Sequence, residues 1–241
     1  MKLKGQVALI TGASRGLGLA IARALGAEGA SIACLARPGV ELDQAVATLT
    51  AEGYPSVVLP ADVTVADQVE RAVQRVADHW GRLDMVVLNA GTWQGARVHE
   101  TTEKMWNTLL DLNLKGAFLT LKYALPTLIA ARRGTVIGIG SFGAWVGQPG
   151  SAAYAASKWG LRGLLESVAL EVKPYRVRVG MVHPHNMNSL GRAIDVGSPE
   201  RDRFIEPGEV ASLIAWICAA PEHVSVGNVT IWPVSAGIAP A

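Results

Sequence analysis

The feature that most constrains the fold of this 241-residue chain is the alternation of short apolar runs with helix-like segments from one end to the other. The predicted strands cover residues 6–11, 31–36, 56–59, 83–88, 135–139, 177–182 and 228–232. The predicted helices begin near residue 19 and continue with residues 41–52, 66–79, 102–112, 115–131, 152–173 and 209–219. Several strands are nearly continuous apolar runs, which is typical of parallel sheets covered on both faces. The pattern predicts an α/β fold: a doubly wound, seven-stranded parallel sheet with helices on both faces.

The turn after the first predicted strand is rich in glycine. Gly12, Gly16 and Gly18 lie between that strand and the first predicted helix, in the spacing Gly-x3-Gly-x-Gly. Glycines let the backbone turn sharply and approach a ligand, and the free amides of a helix start attract an anion. The loop therefore indicates a phosphate cradle for a dinucleotide. An ordinary strand-to-helix turn is the alternative interpretation.

A tyrosine and a lysine lie one helical turn apart in the longest predicted helix. Tyr154 and Lys158 are four residues apart and share a helix face, and Ser141 lies thirteen residues upstream. A cation beside a phenol favours phenolate, so we expect a lowered pKa for Tyr154. Such a phenol can exchange a proton with a substrate oxygen, to which Ser141 could also hydrogen-bond. These residues suit the interconversion of an alcohol and a ketone if a hydride carrier binds nearby.

Composition narrows the functional classes. Half of the residues are hydrophobic, and the formal net charge of +2 gives no reason to expect nucleic acid or an anionic membrane surface as a partner. No apolar signal segment or stretch of transmembrane length is evident. Cys34 and Cys218 lie in apolar runs and are interpreted as buried thiols, and the histidines lack metal-site spacing. We expect one soluble, cytoplasmic domain of residues 1–241 without a metal.

Taken together, the motifs resemble the short-chain dehydrogenase/reductase family. The resemblance is carried by the glycine loop, Asn89-Ala90-Gly91, Asn113 with Gly116, Ser141, and Tyr154-x3-Lys158, in this order. It implies a Rossmann fold and a catalytic tetrad of Asn113, Ser141, Tyr154 and Lys158. Tyr154 would be the general acid in reduction, Ser141 would position the substrate oxygen, Lys158 would bind the nicotinamide ribose, and Asn113 would hold a relay water. It also implies a homotetramer or homodimer that uses the Tyr154 helix and the last helix and strand.

A cofactor site follows from the loop and the resemblance together. Asn89 would support the sheet near the cofactor, whereas Asp62 and Val63 would contact adenine; structural roles remain the alternative for Asn89 and Asp62. The full set of expected cofactor contacts is Gly12, Ser14, Arg15, Gly16, Leu17, Gly18, Arg37, Asp62, Val63, Asn89, Ala90, Gly91, Tyr154, Lys158, Pro184, Met187 and Ser189.

The end of the second strand favours NADP(H) over NAD(H). In dinucleotide folds an acidic residue there binds the ribose 2′-hydroxyl of NAD, whereas a nearby arginine accommodates the 2′-phosphate of NADP. Here Arg37 follows the strand and no acid occupies the position, while Arg15 in the glycine loop is a second candidate. Arginine can bind a phosphate through two parallel hydrogen bonds. Glu41 is assigned to the next helix, and two plain surface arginines are the alternative.

The region after the sixth strand departs from the family pattern. His185 stands where the family usually has glycine, and Ser189 where threonine is usual. We predict a substrate lid over about residues 184–207, because ligands bind beyond the carboxyl ends of such strands. His183 and His185 could shape the pocket or bond the backbone. The predicted pocket walls are Trp93, Phe142, Trp145, Gln148 and His185, with packing as the alternative for the tryptophans.

The sequence therefore predicts an NADPH-dependent oxidoreductase that reduces a ketone or aldehyde, reversibly, on a small-molecule substrate. An imine reductase or an alcohol-oxidising member of the family is the alternative within the enzyme class. A non-catalytic dinucleotide-binding regulator is the alternative of another class. The C-terminus lacks the Asp-Gly-Gly ending of many fatty-acid-type ketoreductases, which weakens the case for an acyl-carrier partner.

Overall fold

A computed structural model describes residues 1–188 and 200–235 of the chain. Its centre is a parallel sheet of seven strands in the order β3-β2-β1-β4-β5-β6-β7. The strands are β1 (Val7–Thr11), β2 (Ser31–Ala36), β3 (Ser56–Pro60), β4 (Met85–Leu88), β5 (Gly134–Ile139), β6 (Val177–Pro184) and β7 (Asn228–Ile231). Each of these strands matches one predicted from the sequence, and the bounds differ by no more than about two residues at each end.

The helices alternate with the strands as predicted. They are α1 (Gly16–Ala27), α2 (Val40–Ala51), α3 (Ala66–Trp80), α4 (Glu103–Leu110), α5 (Gly116–Ala131), α6 (Ala152–Val172) and α7 (Pro207–Cys218). Helix α1 begins three residues earlier than expected, because the glycine loop itself forms its first turn. A π-helical turn, Asp111–Lys115, joins α4 directly to α5, so this part of the chain is one continuous helical stretch with a local widening.

Both faces of the sheet are covered. Strand residues alternate between the faces, so Ala8 and Ile10 pack with α1, α2 and α7, whereas Val7 and Leu9 pack with α3, α5 and α6. A strand buried on both sides has few polar positions, which explains the nearly continuous apolar runs in the sequence. The prediction of a doubly wound sheet with helices on both faces is confirmed.

The structure places four apolar side chains of α6 and both cysteines relative to the core. Leu161, Leu165 and Val168 of α6 are buried in the monomer, whereas Leu164 is only partly buried. Cys34 and Cys218 are free, buried thiols, and burial raises the pKa of each to about 12. Neither cysteine is therefore a reactive group at neutral pH.

The sheet reverses its winding between β1 and β4. Strand β1 pairs with β2 on one side and with β4 on the other, and β3 and β5–β7 extend the two halves outward. At such a switch point the loops leaving the two central strands diverge and open a crevice at the carboxyl edge of the sheet. The glycine loop after β1, the segment 89–91 after β4 and Ser141 after β5 all lie at this edge. None of the described helices is both long and apolar enough to cross a bilayer.

Candidate active site

A cleft of about 1790 Å³ runs along the carboxyl edge of the sheet. Its walls contain every cofactor residue predicted from the sequence except Ser189, which lies outside the described residues. Among the predicted catalytic residues, Ser141, Tyr154 and Lys158 line the cleft, and Asn113 lies behind its wall. The cleft is larger than the 300–1,000 Å³ typical of a drug-sized pocket, as expected for a dinucleotide plus a substrate.

The glycine loop makes a close cradle at one end of the cleft. Gly12 and Gly16 have φ values of 67° and 55°, in the left-handed region that glycine adopts without strain. A β-carbon on Gly18 would collide with the carbonyl of Gly12 and lie 2.6 Å from Nδ2 of Asn89. Arg15, at the start of α1, gives no side-chain cap, so the first amides of this helix remain available. This geometry fits a bound phosphate group.

Asn89 and Thr11 fasten the glycine loop to β4. Asn89 Nδ2 donates to the carbonyl oxygens of Thr11 and Gly12 at 2.9 and 3.1 Å, and Thr11 Oγ1 accepts from the amides of Asn89 and Ala90, both at 3.0 Å. Asn89 thus ties the glycine loop to the end of β4. The structural role of Thr11 was missed from the sequence, although a hydroxyl residue ending an otherwise apolar strand is a usable signal.

The region around β2 contains three charged side chains. Arg37, Arg15 and Glu41 all line the cleft, and Arg15 Nη1 lies 3.3 Å from Glu41 Oε1. Glu41 sits in the first turn of α2, as predicted, yet its side chain reaches the predicted phosphate partner. Both members of this pair are more than half exposed, so the contact is weak and open to exchange with a ligand. The electrostatics of this end of the cleft therefore depend on three residues rather than on two arginines.

The Asp62 side chain is engaged with its own loop. Its Oδ1 accepts hydrogen bonds from the amide and the hydroxyl of Thr64, both at 2.8 Å. Asp62 and Val63 nonetheless form part of the cleft wall on the β3 side. Both residues expected to contact adenine therefore line the cleft, and the Asp62 carboxylate also has the structural role that was left open.

Tyr154, Ser141 and Lys158 converge at the middle of the cleft. Tyr154 occupies the first turn of α6, and Ser141 directly follows β5, with its Oγ accepting from the amide of Gly143 at 3.1 Å. Lys158 is buried and its Nζ donates to the carbonyl of Ile139 at 2.7 Å. The Lys158 ammonium lies 5.8 Å from the centroid of the Tyr154 ring. The predicted helical spacing therefore brings phenol, hydroxyl and ammonium together.

The pKa values differ from the sequence-based expectation. Burial raises the pKa of Tyr154 above 10.0, and a hydrogen bond with Ser141 acts in the opposite direction. Burial also lowers the pKa of Lys158 from 10.5 to about 8. The expected lowering for Tyr154 is thus wrong for the protein without cofactor, because the phenol is desolvated and the ammonium bonds to the Ile139 carbonyl.

Asn113 lies in the π-helical turn and is almost fully buried. Its Oδ1 accepts from the amide of Thr92 at 2.8 Å, and its Nδ2 donates to the Thr92 carbonyl and to Ser157 Oγ, both at 3.0 Å. Ser157 Oγ in turn donates to the Tyr154 carbonyl at 2.7 Å. Both amide hydrogens of Asn113 are therefore committed to protein groups. Its visible role is to join the 91–92 segment to α6, and Ser157 is a partner that the sequence interpretation missed.

The structure places four of the five predicted substrate-pocket residues in the wall of one cleft. Trp93, Phe142, Gln148 and His185 line the cleft, and the rings of Phe142 and His185 pack edge to face with centroids 4.4 Å apart. Trp145 is absent from the cleft wall. Its ring instead packs on the Arg162 guanidinium at 3.8 Å and against His183 at 5.4 Å. Its prediction as a pocket wall is wrong, because the turn after Ser141 directs it toward α6.

The site can therefore hold an anionic dinucleotide and present a phenol and a hydroxyl to a substrate oxygen beside it. Among residues 1–188 and 200–235, no three His, Cys, Asp or Glu side chains cluster as metal ligands would. Proton transfer and substrate orientation are the chemistry that these side chains offer. Hydride transfer requires the bound nicotinamide.

The chain is similar to known oxidoreductases in both sequence and structure. The family model described as short chain dehydrogenase matches residues 6–193. A 3-oxoacyl-(acyl-carrier-protein) reductase of Thermotoga maritima is 32% identical over 95% of this chain and 96% of its own length. A metagenomic short-chain oxidoreductase solved in complex with NADP superimposes with a TM-score of 0.85 at 35% identity, covering 97% of this chain and 99% of the other. An alcohol dehydrogenase from Thermococcus sibiricus, complexed with 5-hydroxy-NADP, gives 0.88 at 30% identity over 95% and 97%.

These matches span nearly the whole chain and agree with the cleft described above. Family membership also implies that the cofactor is a nicotinamide dinucleotide, which the glycine cradle fits. The chain belongs to the short-chain dehydrogenase/reductase family of oxidoreductases.

Proposed function

We propose that this protein reduces a ketone or aldehyde to the alcohol with NADPH, and that the reaction is reversible. The observation that carries the proposal is the convergence of Tyr154 and Ser141 on one cleft with the glycine cradle. The bound nicotinamide supplies the hydride. Tyr154 Oη donates the proton that converts the carbonyl oxygen to a hydroxyl, and Ser141 Oγ hydrogen-bonds the same oxygen and orients it.

Lys158 would act on the cofactor and on Tyr154. A buried ammonium with a pKa of about 8 remains mostly protonated at neutral pH and can bind ribose hydroxyls beside Tyr154. The phenol of Tyr154, whose pKa burial raises, is protonated at neutral pH and therefore has a proton to donate. We propose the tetrad of Asn113, Ser141, Tyr154 and Lys158 on this basis, with Asn113 acting through its bonds to Thr92 and Ser157.

NADP(H) is the proposed cofactor. Support comes from Arg37 and Arg15 in the cleft near the end of β2, and from the NADP and 5-hydroxy-NADP held by two similar structures. Replacing Arg37 with serine should raise the KM for NADPH by about tenfold or more and leave the KM for NADH nearly unchanged. Equal changes for the two cofactors, or a higher wild-type kcat/KM with NADH, would contradict the assignment.

The decisive experiment is NADPH consumption with a panel of ketones, aldehydes and imines. Tyr154→Phe is the matched variant, because it removes one hydroxyl and keeps the ring. We expect kcat to fall by about 10²–10⁴-fold with NADPH binding retained. Wild-type-like turnover in Tyr154→Phe would overturn the proposed mechanism. Turnover with imines alone, or only in the direction of alcohol oxidation, would favour the alternatives within the enzyme class.

A non-catalytic dinucleotide-binding regulator remains the second candidate. It would bind NADPH tightly and turn over no carbonyl or alcohol with either cofactor. The buried Lys158 beside Tyr154 favours the enzyme, because cofactor binding alone gives no reason to desolvate both groups.

We further propose a homotetramer or homodimer that uses α6 and the last helix and strand. Support comes from large apolar side chains on these helices, since Trp159, Leu170 and Trp216 are about half exposed or more. Light scattering on the purified protein tests the mass directly.

We also propose one domain with a substrate lid over about residues 184–207. The base of that loop is closed by hydrogen bonds from Asn188 to Ile205 and from Ile205 to Asn186.

A further inference from the structure

The strongest unassigned feature lies behind the turn that carries Ser141. His183 of β6 is fully buried, although histidine is a costly residue to bury without partners. Its Nδ1 lies 3.2 Å from the carbonyl oxygen of Ser141, and its Nε2 lies 2.9 Å from Asn228 Oδ1. Gly140 makes room for the ring, because a β-carbon there would collide with it. The ring thus bridges the Ser141 turn and β7.

The same turn is held at its other end. Trp145 packs against the His183 ring and under the guanidinium of Arg162, which pairs with Glu166 at 2.7 Å. Asn228 Nδ2 donates to the same Glu166 oxygen at 3.2 Å. A closed ring of contacts therefore runs from His183 through Asn228, Glu166, Arg162 and Trp145 back to His183, which also contacts the Ser141 carbonyl.

The chemistry of the two partners assigns the proton on His183. A backbone carbonyl can only accept, so Nδ1 must carry a hydrogen to bond Ser141. In the described orientation Asn228 Oδ1 accepts from Nε2 of the imidazolium, while its Nδ2 donates to Glu166. A neutral ring with its hydrogen on Nδ1 requires the exposed Asn228 amide to turn over, so that Nδ2 donates to Nε2 in place of Glu166. Burial lowers the pKa of His183, the bonds to Asn228 and Ser141 oppose this, and the charges of Arg162 and Lys158 lower it further. In both of these arrangements of Asn228 the Nδ1 hydrogen of His183 faces the Ser141 carbonyl.

We propose that His183 is a positioning residue for Ser141: its Nδ1 hydrogen bond to the Ser141 carbonyl fixes the turn that aims Ser141 Oγ at the substrate oxygen. The inference rests on the proposed function in so far as Ser141 orients a carbonyl. It concerns a residue that touches neither the substrate nor the cofactor. Displacements of about 1 Å at a reacting group can cost about 100-fold in rate, so a device that fixes this turn has a measurable consequence.

Two substitutions separate the hydrogen bond from packing. In His183→Asn the side-chain nitrogen takes the place of Nδ1, so the bond to Ser141 can form and the link to Asn228 is lost. In His183→Gln the nitrogen takes the place of Nε2, so the link to Asn228 remains and the bond to Ser141 is lost. Glutamine fills the cavity better than asparagine, and a pure packing role therefore predicts the opposite order of effects.

The test compares both variants with the wild type in steady-state kinetics, thermal unfolding and amide hydrogen exchange. We expect kcat to fall by about 10- to 100-fold in His183→Gln and by no more than about threefold in His183→Asn, with the KM for NADPH unchanged in both. Exchange at the Gly143 amide, which bonds Ser141 Oγ, should speed up only in His183→Gln. Equal losses in the two variants, or full activity in His183→Gln, would overturn the inference.

Two further arms keep the outcome unambiguous. If neither His183 variant folds, Asn228→Ala at the exposed end of the ring should lower kcat by about two- to fivefold without a change in the KM for NADPH. An unchanged kcat in that variant would then count against the inference. A wild type that turns over no carbonyl would refute the proposed function alone, because the exchange comparison between His183→Asn and His183→Gln needs no turnover.

Discussion

Burial of Lys158 makes the free energy of unfolding depend on pH, by an amount that follows from its pKa shift. Burial lowers the pKa of the ammonium from 10.5 to about 8. Each pKa unit corresponds to about 1.4 kcal/mol, so holding this charge inside the folded protein costs about 3 kcal/mol at neutral pH. Replacing Lys158 with methionine keeps a long unbranched side chain and removes the charge. The variant also loses the hydrogen bond to Ile139, which is a contribution independent of pH.

The sign follows from proton binding. Between pH 8 and 10.5 the folded lysine is neutral while the unfolded lysine is still protonated, so the unfolded state binds more protons and stability rises with pH. We expect the free energy of unfolding of the wild type, relative to Lys158→Met, to increase by about 2 kcal/mol between pH 7 and pH 9.5. The buried cysteines titrate in both proteins, so their effects cancel in the difference. The phenol of Tyr154 has a pKa raised above 10.0 in the folded wild type and stays mostly protonated up to pH 9.5.

Urea unfolding of both proteins at pH 7.0, 8.0, 9.0 and 9.5, without cofactor and at one protein concentration, measures this difference. The free energy of unfolding of the wild type, relative to that of Lys158→Met, should increase at each step as the pH rises. A gap that stays constant within about 0.5 kcal/mol would refute the reasoning, because it would mean that Lys158 keeps an ordinary pKa in the folded state. Lys158→Met should also lose turnover, which checks its proposed role separately.

Three other changes test the remaining parts of the site and the assembly. Gly18→Ala should weaken NADPH binding by at least about tenfold in a fluorescence titration, since its β-carbon meets the Gly12 carbonyl and the loop must shift; unchanged affinity would contradict the cradle. Glu41→Gln frees Arg15, so the KM for NADPH should fall by up to about fivefold and the KM for NADH should stay unchanged. A rise in the KM for NADPH would instead show that Glu41 holds Arg15 in place. Trp216→Glu should lower the mass seen by light scattering without loss of helical signal, and an unchanged oligomer would place the interface elsewhere.

The site was more predictable than is usual because its parts are local in sequence. Tyr154 and Lys158 need only a helix to face the same way, and the glycine loop needs only a strand before it and a helix after it. Asn89 and Ser141 each follow a strand at the carboxyl edge of the sheet, so the order of elements brings them to one cleft, whereas Asn113 lies in a helical turn behind its wall. Trp145 shows the limit: its neighbour Phe142 lines the cleft, yet the short turn between them directs the indole toward Arg162.

The sequence by itself determined the parallel doubly wound sheet, the position of its cleft and the residue types offered there, because apolar periodicity, glycine spacing and helical spacing act over a few residues. Only the tertiary structure decided the electrostatics. The Tyr154 pKa is raised rather than lowered, because desolvation and the direction of the Lys158 ammonium depend on what packs around them. The pairing of Arg15 with Glu41 and of His183 with Ser141 joins residues 26 and 42 positions apart, a proximity that arises only when the strands and helices are assembled.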